Sequence, residues 1–385
     1  MKKIIKNLRY YCAILIGFFI IIIAKFISFF KDIRFGIIYS KRVGHLCHNV
    51  DAYLSQRSSK EISIFGTQKT ISNRYILEGW KKNQRIFFNK IGFYGFFFLK
   101  IFSPKSRMLI QSSELYPNYS TVMLHKKNFD TSIIDNKKEL KNLIGVDFAP
   151  YICFHNRDDA YLKKFGSDRN DHSFRNYDFN DYKSSINFIN CKNIKAIRVG
   201  RLTNNKFLYQ NNNFIDFTNG KSNDFIDVFL INNCEFLVAS ATGLSNIASI
   251  LRKKIILVNL IPFWLREMYQ YTKGSIFLPK KIYCNASKRL LKFSEVESLK
   301  YNIHEKKFFK KRNLSVINNT EDEIFSSVKE MLENHKYDNF ENYEKSKLHD
   351  KFWNSIIDKK AAKIIRNKLK INISDTFLKK NKSLI

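Results

Sequence analysis

The stretch FLVASATGLSNIASILRKKIILVN, Phe236 to Asn259, decides how the rest of the chain is read. An apolar run (Phe236 to Ala239) meets a turn of small and hydroxyl residues without one charge, Ser240 to Gly243. The chain then turns helical through Asn246 to Leu251 before a second apolar run, Lys254 to Asn259. Two short apolar runs joined by a helix are the signature of parallel strands with a crossover. A helix start offers backbone N–H groups and the positive end of the helix dipole, and Ser, Thr and Gly let an anion approach without a bulky side chain in the way. Ser240, Thr242 and Gly243 therefore read as a diphosphate seat in which backbone amides and nearby Arg side chains supply the positive field. The plain alternative is a strand-to-helix connection capped by Ser or Thr.

Working outward, the same punctuation recurs. ICFHNRDDAY ends an apolar run in His155, Asn156, Arg157 and Asp158; AIRVGR ends one in Gly200 and Arg201, with Arg198 inside it. In an open parallel sheet, ligands bind outside the carboxyl ends of the strands, so these ends are the candidate site. Each has a bland reading beside the functional one. Arg157 and Asp158 form an ion pair at an edge, Arg198 snorkels to the surface, and Asp224 and Asp227 in SNDFIDVFLINN cap and charge the first turn of a helix. His45 stands either as a plain turn histidine or as a group that orients or deprotonates an acceptor hydroxyl.

The chain has 385 residues, enough for two domains with their own cores, and 44% hydrophobic and 15% aromatic content excludes a disordered chain. The net charge of +33 points to phosphates, as nucleic acid or an anionic membrane surface, although Lys, Asn, Ile and Phe rise together as in AT-rich coding sequence. IRFGIIYSKRVGHLCHNVDAYLSQRSSKEISIFGT reads strand, turn, helix, strand and opens a first domain over 33–141. A second, doubly wound domain covers 142–335 with strands near 194–200, 235–240 and 254–259, and its boundary falls near Asn142. A helix starts at NTEDEIF, with Thr320 and Glu323 in capping-box positions. The last segment, 336–385, reads as basic and helical, packing against the first domain or a membrane face. Residues 1–30 hold an apolar run from Tyr11 to Ala24 flanked by Lys and Arg on both sides. Against the roughly 20 apolar residues a spanning helix needs, this run is borderline; it reads as a separable membrane anchor, with a buried core helix as the alternative. Six cysteines without a CxxC pair suit a reducing compartment, and GHLCH, Gly44 to His48, lacks a second ligand cluster, so no metal is expected.

With those residues in order, the chain resembles a family of bacterial glycosyltransferases of surface-glycan biosynthesis, from about Arg34 to the carboxyl terminus. The resemblance rests on RVGHLCHNVDAYL, PYICFHNRDDAYL, DHSFRNYDFNDY, AIRVG, SNDFIDVFL, ATGLSNIASIL with VNLIPF after it, INNTEDEIFSSVKEML and TFLKKN. It implies a GT-B-like α/β enzyme: two Rossmann-like domains with a cleft between them, a nucleotide-sugar donor held mainly by the second, and an acceptor approaching from the first. On that reading His45, His155, Arg157 and Asp158 are catalytic. Donor contacts come from Arg198, Gly200, Asp224, Asp227, Ser240, Thr242, Gly243, Ser245, Asn246 and Asn259, and acceptor contacts from Arg42, Gly44 and Asn49. The first domain is poorly matched between Asn73 and Leu140.

Glycosyl transfer develops negative charge on the departing diphosphate, which amides and Arg side chains stabilise. The chain holds no DxD, the metal-binding sequence of the other major glycosyltransferase fold, so leaving-group stabilisation without metal or cofactor is expected. The expected partners are a nucleotide-sugar donor, a glycan or glycolipid acceptor such as lipopolysaccharide or capsule, and the cytoplasmic face of the inner membrane; nucleic acid is disfavoured. Two competing classes are a non-enzymatic, membrane-anchored binder of nucleic acid or anionic lipid, and a glycan-modifying transferase of phosphate or pyruvate.

Overall fold

The computed structural model of the chain describes residues 2–83, 85–116, 128–131, 142, 150–164, 170–204, 206–299, 307–337 and 347–385. It divides into two compact units, Met1–Ile133 and Ile134–Ile385. The expected boundary at Asn142 falls in a stretch of which the neighbouring residues lie outside the described ones.

In the first unit a long helix, α1 (Lys2–Ile27), leads into β1 (Asp32–Ile38), α2 (Val43–Leu54), β2 (Glu61–Thr67), α3 (Arg74–Lys81), β3 (Ile86–Phe88) and α4 (Lys90–Phe102). The strands form a parallel sheet in the order β1-β2-β3, with Asp32 opposite Glu61 and Ser63 opposite Ile86. Asn73 and Asn89 cap α3 and α4 by accepting from the Ile76 and Gly92 amides. Glycine sets how closely α4 lies on the sheet, because a Cβ on Gly92 would stand 2.3 Å from the Phe65 carbonyl carbon. The run read as a separable anchor is built into this unit. Ile21 and Ala24 of α1 are buried in one cluster with Ile33, Phe35, Leu99 and Leu109, although α1 remains long and apolar enough to cross a membrane. One face of α1 is core, as in the buried-helix alternative, and the other is exposed.

The second unit is built on β4 (Tyr151–His155), β5 (Lys195–Arg198), β6 (Phe214–Asp216), β7 (Leu237–Ala239), β8 (Ile255–Leu260), β9 (Ile276–Pro279) and, late in the chain, β13 (Asn372–Ile373). Every pairing is parallel, in the order β13-β9-β8-β7-β4-β5-β6. Numbered from β4, the first six strands run 3-2-1-4-5-6, the doubly wound order, in which the chain reverses direction across the sheet between β4 and β7. All residues of β7 and β8 are buried, which is why these strands read as unbroken apolar runs. The helices that matter below are α5 (Lys183–Asn190), α6 (Ile226–Asn233), α7 (Gly243–Ile250), α8 (Glu321–Tyr337), α9 (Lys347–Ser355) and α10 (Asp375–Lys380). A small antiparallel sheet of β10 (Lys281–Cys284), β11 (Arg289–Leu290) and β12 (Leu314–Ile317) completes the unit. At the start of α8 the expected capping box is present: the Thr320 amide donates to Glu323 Oε2 (2.8 Å) and the Glu323 amide to Thr320 Oγ1 (3.2 Å).

The carboxyl-terminal segment departs from expectation. It is not only helical, since β13 adds an edge strand beside β9, and Phe352, Trp353 and Ile356 bury inside the second unit while Ile357 stays exposed. Phe352 and Trp353 lie against Phe277, with Phe293 and Phe263 alongside.

Candidate functional site

The carboxyl ends of β4 and β7 are neighbours, with His155 opposite Ala239, so the chain leaves the sheet at the switch point through His155–Asp158 on one side and Ser240–Gly243 on the other. This is where a doubly wound sheet opens its crevice. Thr242 is the extended residue before α7, and the Ser245 hydroxyl closes the turn by accepting from the Thr242 amide (3.0 Å) and donating to the Thr242 carbonyl (2.8 Å). The amides of Gly243 and Leu244 belong to the helix's first turn and have no intrahelical acceptor. Asn246 is tied to Gln270 Oε1 (2.6 Å). The turn of the opening stretch is thus a preformed helix start at the switch point.

A strap lies across these strand ends. The Arg175 guanidinium donates to the Ala241 carbonyl in the turn after β7, and the Tyr177 hydroxyl donates to the His155 carbonyl at the end of β4 (2.8 Å). Lys280, immediately after β9, donates to the carbonyls of Phe174 (2.8 Å) and Asn176 (3.1 Å) and to Asn318 Oδ1 (2.7 Å). Lys280 is 2% exposed; loss of hydration, with the positive charges of Arg175 and Arg157 close by, pulls its ammonium down to about 7. Arg175 thus touches the turn itself, and Lys280 lies close to both Arg175 and Arg157. Arg175, Tyr177 and Lys280 were not among the expected site residues. The strap was visible only as the motif DHSFRNYDFNDY, and Lys280 only as a charge placed directly after the apolar run IFLP.

Other expected residues meet here in supporting positions. The His155 ring lies against Gly200, where φ is +124° and an added Cβ would stand 3.1 Å from His155 Nδ1. That nitrogen is 3.1 Å from the Val199 carbonyl, which can only accept, so Nδ1 carries the proton and Nε2 keeps a lone pair. Burial pulls the imidazole down to about 4 and leaves it neutral near pH 7. The Gly200 amide donates to Asp227 Oδ1 (3.0 Å), and Asp224 pairs with Arg201, so both carboxylates pin the loop after β5. Asp158 accepts from the Ala160 amide (3.0 Å), the Thr203 hydroxyl (2.9 Å) and the Asn204 amide (2.9 Å), which fills its oxygens with scaffold bonds.

Arg198 departs from the snorkelling alternative and from a direct contact alike. It is 1% exposed, stacked 4.0 Å over the Phe179 ring, and donates to Thr203 Oγ1 (2.7 Å), Asn156 Oδ1 (3.2 Å) and Asp216 Oδ2 (3.5 Å), so it knots β4, β5 and β6 together. Asn259, with φ +51°, forms a reciprocal pair with Asn319: each side-chain oxygen accepts from the other's backbone amide (2.6 and 2.7 Å). Both residues hold the fold around the site.

In the first unit, Arg42, Gly44, His45 and Asn49 gather at the start of α2, after the carboxyl end of β1. Asn49 Nδ2 donates to the Leu115 carbonyl, which turns Oδ1 toward His45 Nδ1 (2.9 Å). His45 then donates from Nδ1 and keeps Nε2 as an acceptor, and burial holds its pKa below the ordinary value. Partial burial, with His45 beside it, pulls His48 down to about 3.

The fold and these strand ends define a mixed α/β protein with parallel sheets and a helix start at the switch point of the larger one. No family model and no curated protein matches the chain. Among solved structures it is similar to a glycosyl transferase of family 9 from Veillonella parvula (TM-score 0.48, 9% identity, 79% of this chain and 98% of that one). It is also similar to the dodecameric iron-containing glycosyltransferase TibC from enterotoxigenic E. coli (0.42, 15%, 80% and 77%) and to E. coli ADP-heptose lps heptosyltransferase II (0.35, 12%, 58% and 84%).

Proposed function

We propose that this chain is a GT-B-like glycosyltransferase of surface-glycan biosynthesis, belonging to the family its motifs resemble and working at the cytoplasmic face of the inner membrane with α1 as its membrane contact. The second unit binds the nucleotide-sugar donor. The observation that carries this reading is Arg175 on the Ala241 carbonyl of the Ser240–Gly243 turn at the switch point between β4 and β7, with Lys280 close to Arg175 and Arg157. The donor diphosphate sits on the Gly243 and Leu244 amides with those cations beside it. The acceptor oxygen attacks the anomeric carbon, the bond from that carbon to the diphosphate breaks with its electron pair, and the field of amides and cations stabilises the charge left behind. His45, with Nε2 open, takes the acceptor proton, and Arg42, Gly44 and Asn49 form the acceptor side.

Saturation-transfer NMR of the purified protein against UDP, GDP, CMP, ADP and dTDP tests the donor site. One nucleotide diphosphate is expected to show transfer, to compete with its sugar conjugate, and to lose contact in Gly243→Val, whose side chain crowds the amides. Absence of transfer from every nucleotide, or a folded Gly243→Val that binds as wild type, overturns the reading.

A further inference from the structure

Along α1 one side is engaged from Tyr10 to Ala24. The Tyr10 ring meets Phe97 edge-on at 5.6 Å, Phe18 lies 5.9 Å from Phe98, and Ile21 and Ala24 are core. The crossing is close at Gly17, where a Cβ would stand 2.7 Å from both Phe98 Cβ and the Tyr94 carbonyl oxygen. α4 in turn is seated on β2 through Gly92 and Gly66. The opposite side of the pair is apolar and exposed: Leu15, Phe19, Ile23 and Phe26 from α1 and Phe102 from α4. Phe29 and Phe30, just after α1, are 82% and 85% exposed.

Between the helices runs a groove of about 600 Å³ lined by Cys12, Ile14, Leu15 and Phe18 of α1 and Phe98 and Phe102 of α4. On and beside the two helices Arg9, Lys25, Lys31, Lys90, Lys100, Lys105 and Arg107 are exposed; neither Met1–Lys31 nor Lys90–Arg107 contains an acidic residue, and the exposed Asp32 follows Lys31. An apolar face of this size flanked by an excess of basic residues matches an anionic lipid surface. α4, at 13 residues, reaches about 20 Å, short of the roughly 30 Å hydrocarbon core. A spanning α1 would draw α4 and the sheet beneath it into hydrocarbon, with Lys90 and Lys100 attached.

We propose that α1 and α4 form one monotopic surface that lies in the plane of a single leaflet, with a phospholipid acyl chain in the α1/α4 groove and the flanking Lys and Arg on anionic headgroups. This rests on the membrane reading of α1 and not on the glycosyltransferase reading. It adds that α1 does not span and that α4 is half of the contact.

Cys12 is an exposed thiol in the groove wall, while Cys47, Cys153 and Cys234 are buried. The experiment uses the full chain with Cys191→Ser and Cys284→Ser, labelled with bimane at Cys12. Two further variants add Cys12→Ser and place the label through Ile23→Cys on α1 or Phe102→Cys on α4. Vesicles of phosphatidylethanolamine and phosphatidylglycerol carry doxyl groups at shallow or deep chain positions, and unlabelled variants are checked for an unchanged melting temperature. All three positions are expected to be quenched more by shallow than by deep doxyl, with binding roughly tenfold weaker on phosphatidylcholine alone. Deep quenching at one α1 position and shallow at the other overturns the in-plane placement. Quenching at Cys12 without quenching at Phe102→Cys removes α4 and leaves the membrane reading standing. No flotation and no quenching at any position sinks both, as does a lipid-independent dimer that shields Cys12.

Discussion

Asp227 is a carboxylate spent on scaffold. It is 4% exposed, its Oδ1 accepts from the Gly200 amide, and burial pushes it up to about 6 from an ordinary 3.8. Between those values the folded chain holds a proton the unfolded chain has lost, so this group's contribution to stability falls as pH rises from about 4 to 6. Asp227→Asn keeps the acceptor and removes the charge. Relative to it, wild type is expected to lose roughly 2–3 kcal/mol across that window; parallel urea-unfolding curves at pH 4 and pH 6.5 would show the prediction wrong. Gly200, one bond away, holds a backbone angle that favours glycine and touches the His155 ring. Gly200→Ala is expected to cost about 1–3 kcal/mol and to shift the His155 ring resonances in an NMR titration, whereas unchanged resonances would separate His155 from this turn.

At the scale of elements, the strap from Phe174 to Tyr177 and the start of α7 act together. Lys280 holds two strap carbonyls and sits near neutrality because it is desolvated beside Arg175 and Arg157. A bound diphosphate favours the charged ammonium, so between pH 7 and 9 nucleotide binding is expected to take up a proton and to weaken as pH rises. Calorimetry in buffers of different ionisation enthalpy measures that uptake; zero uptake at pH 8 would remove Lys280 from the anion's field. Arg157→Ala is expected to lower turnover more than donor affinity, because charge on the leaving group is greatest in the transition state. Equal losses in both would make Arg157 a ground-state contact.

The whole molecule joins two parallel-sheet units, and the amino-terminal helix belongs to the first. Removing residues 1–30 deletes Ile21 and Ala24 and uncovers Phe35, Leu99 and Leu109. At the usual worth of buried apolar side chains the first unit is expected to lose about 2–4 kcal/mol, with the nucleotide affinity of the second unit kept. A truncated chain with an unchanged melting profile would show that α1 adds nothing to that core. This replaces the expectation of a cleanly separable anchor, which hydropathy suggests because it registers only that a run is apolar, not which face a neighbour covers.

What the sequence alone determined is local. Largely apolar runs followed by polar turns located β4, β7 and β8, because strands buried on both faces have no regular polar alternation, and β5 was located inside IKAIRVG although it carries Lys195 and Arg198. Thr320 and Glu323 announced α8, since a cap is a bond between residues three apart. The chargeless turn before α7 was legible for the same reason. Only the tertiary structure decided what those ends do. It closed Arg198 over Phe179 and Thr203, gave Asp158 to the 203–204 loop, paired Asn259 with Asn319, and brought Arg175 to the Ala241 carbonyl and Lys280 to the Phe174 and Asn176 carbonyls from far along the chain. Strand order brings such residues together, and strand order is set by which apolar faces pack, a long-range choice that no single stretch of sequence carries.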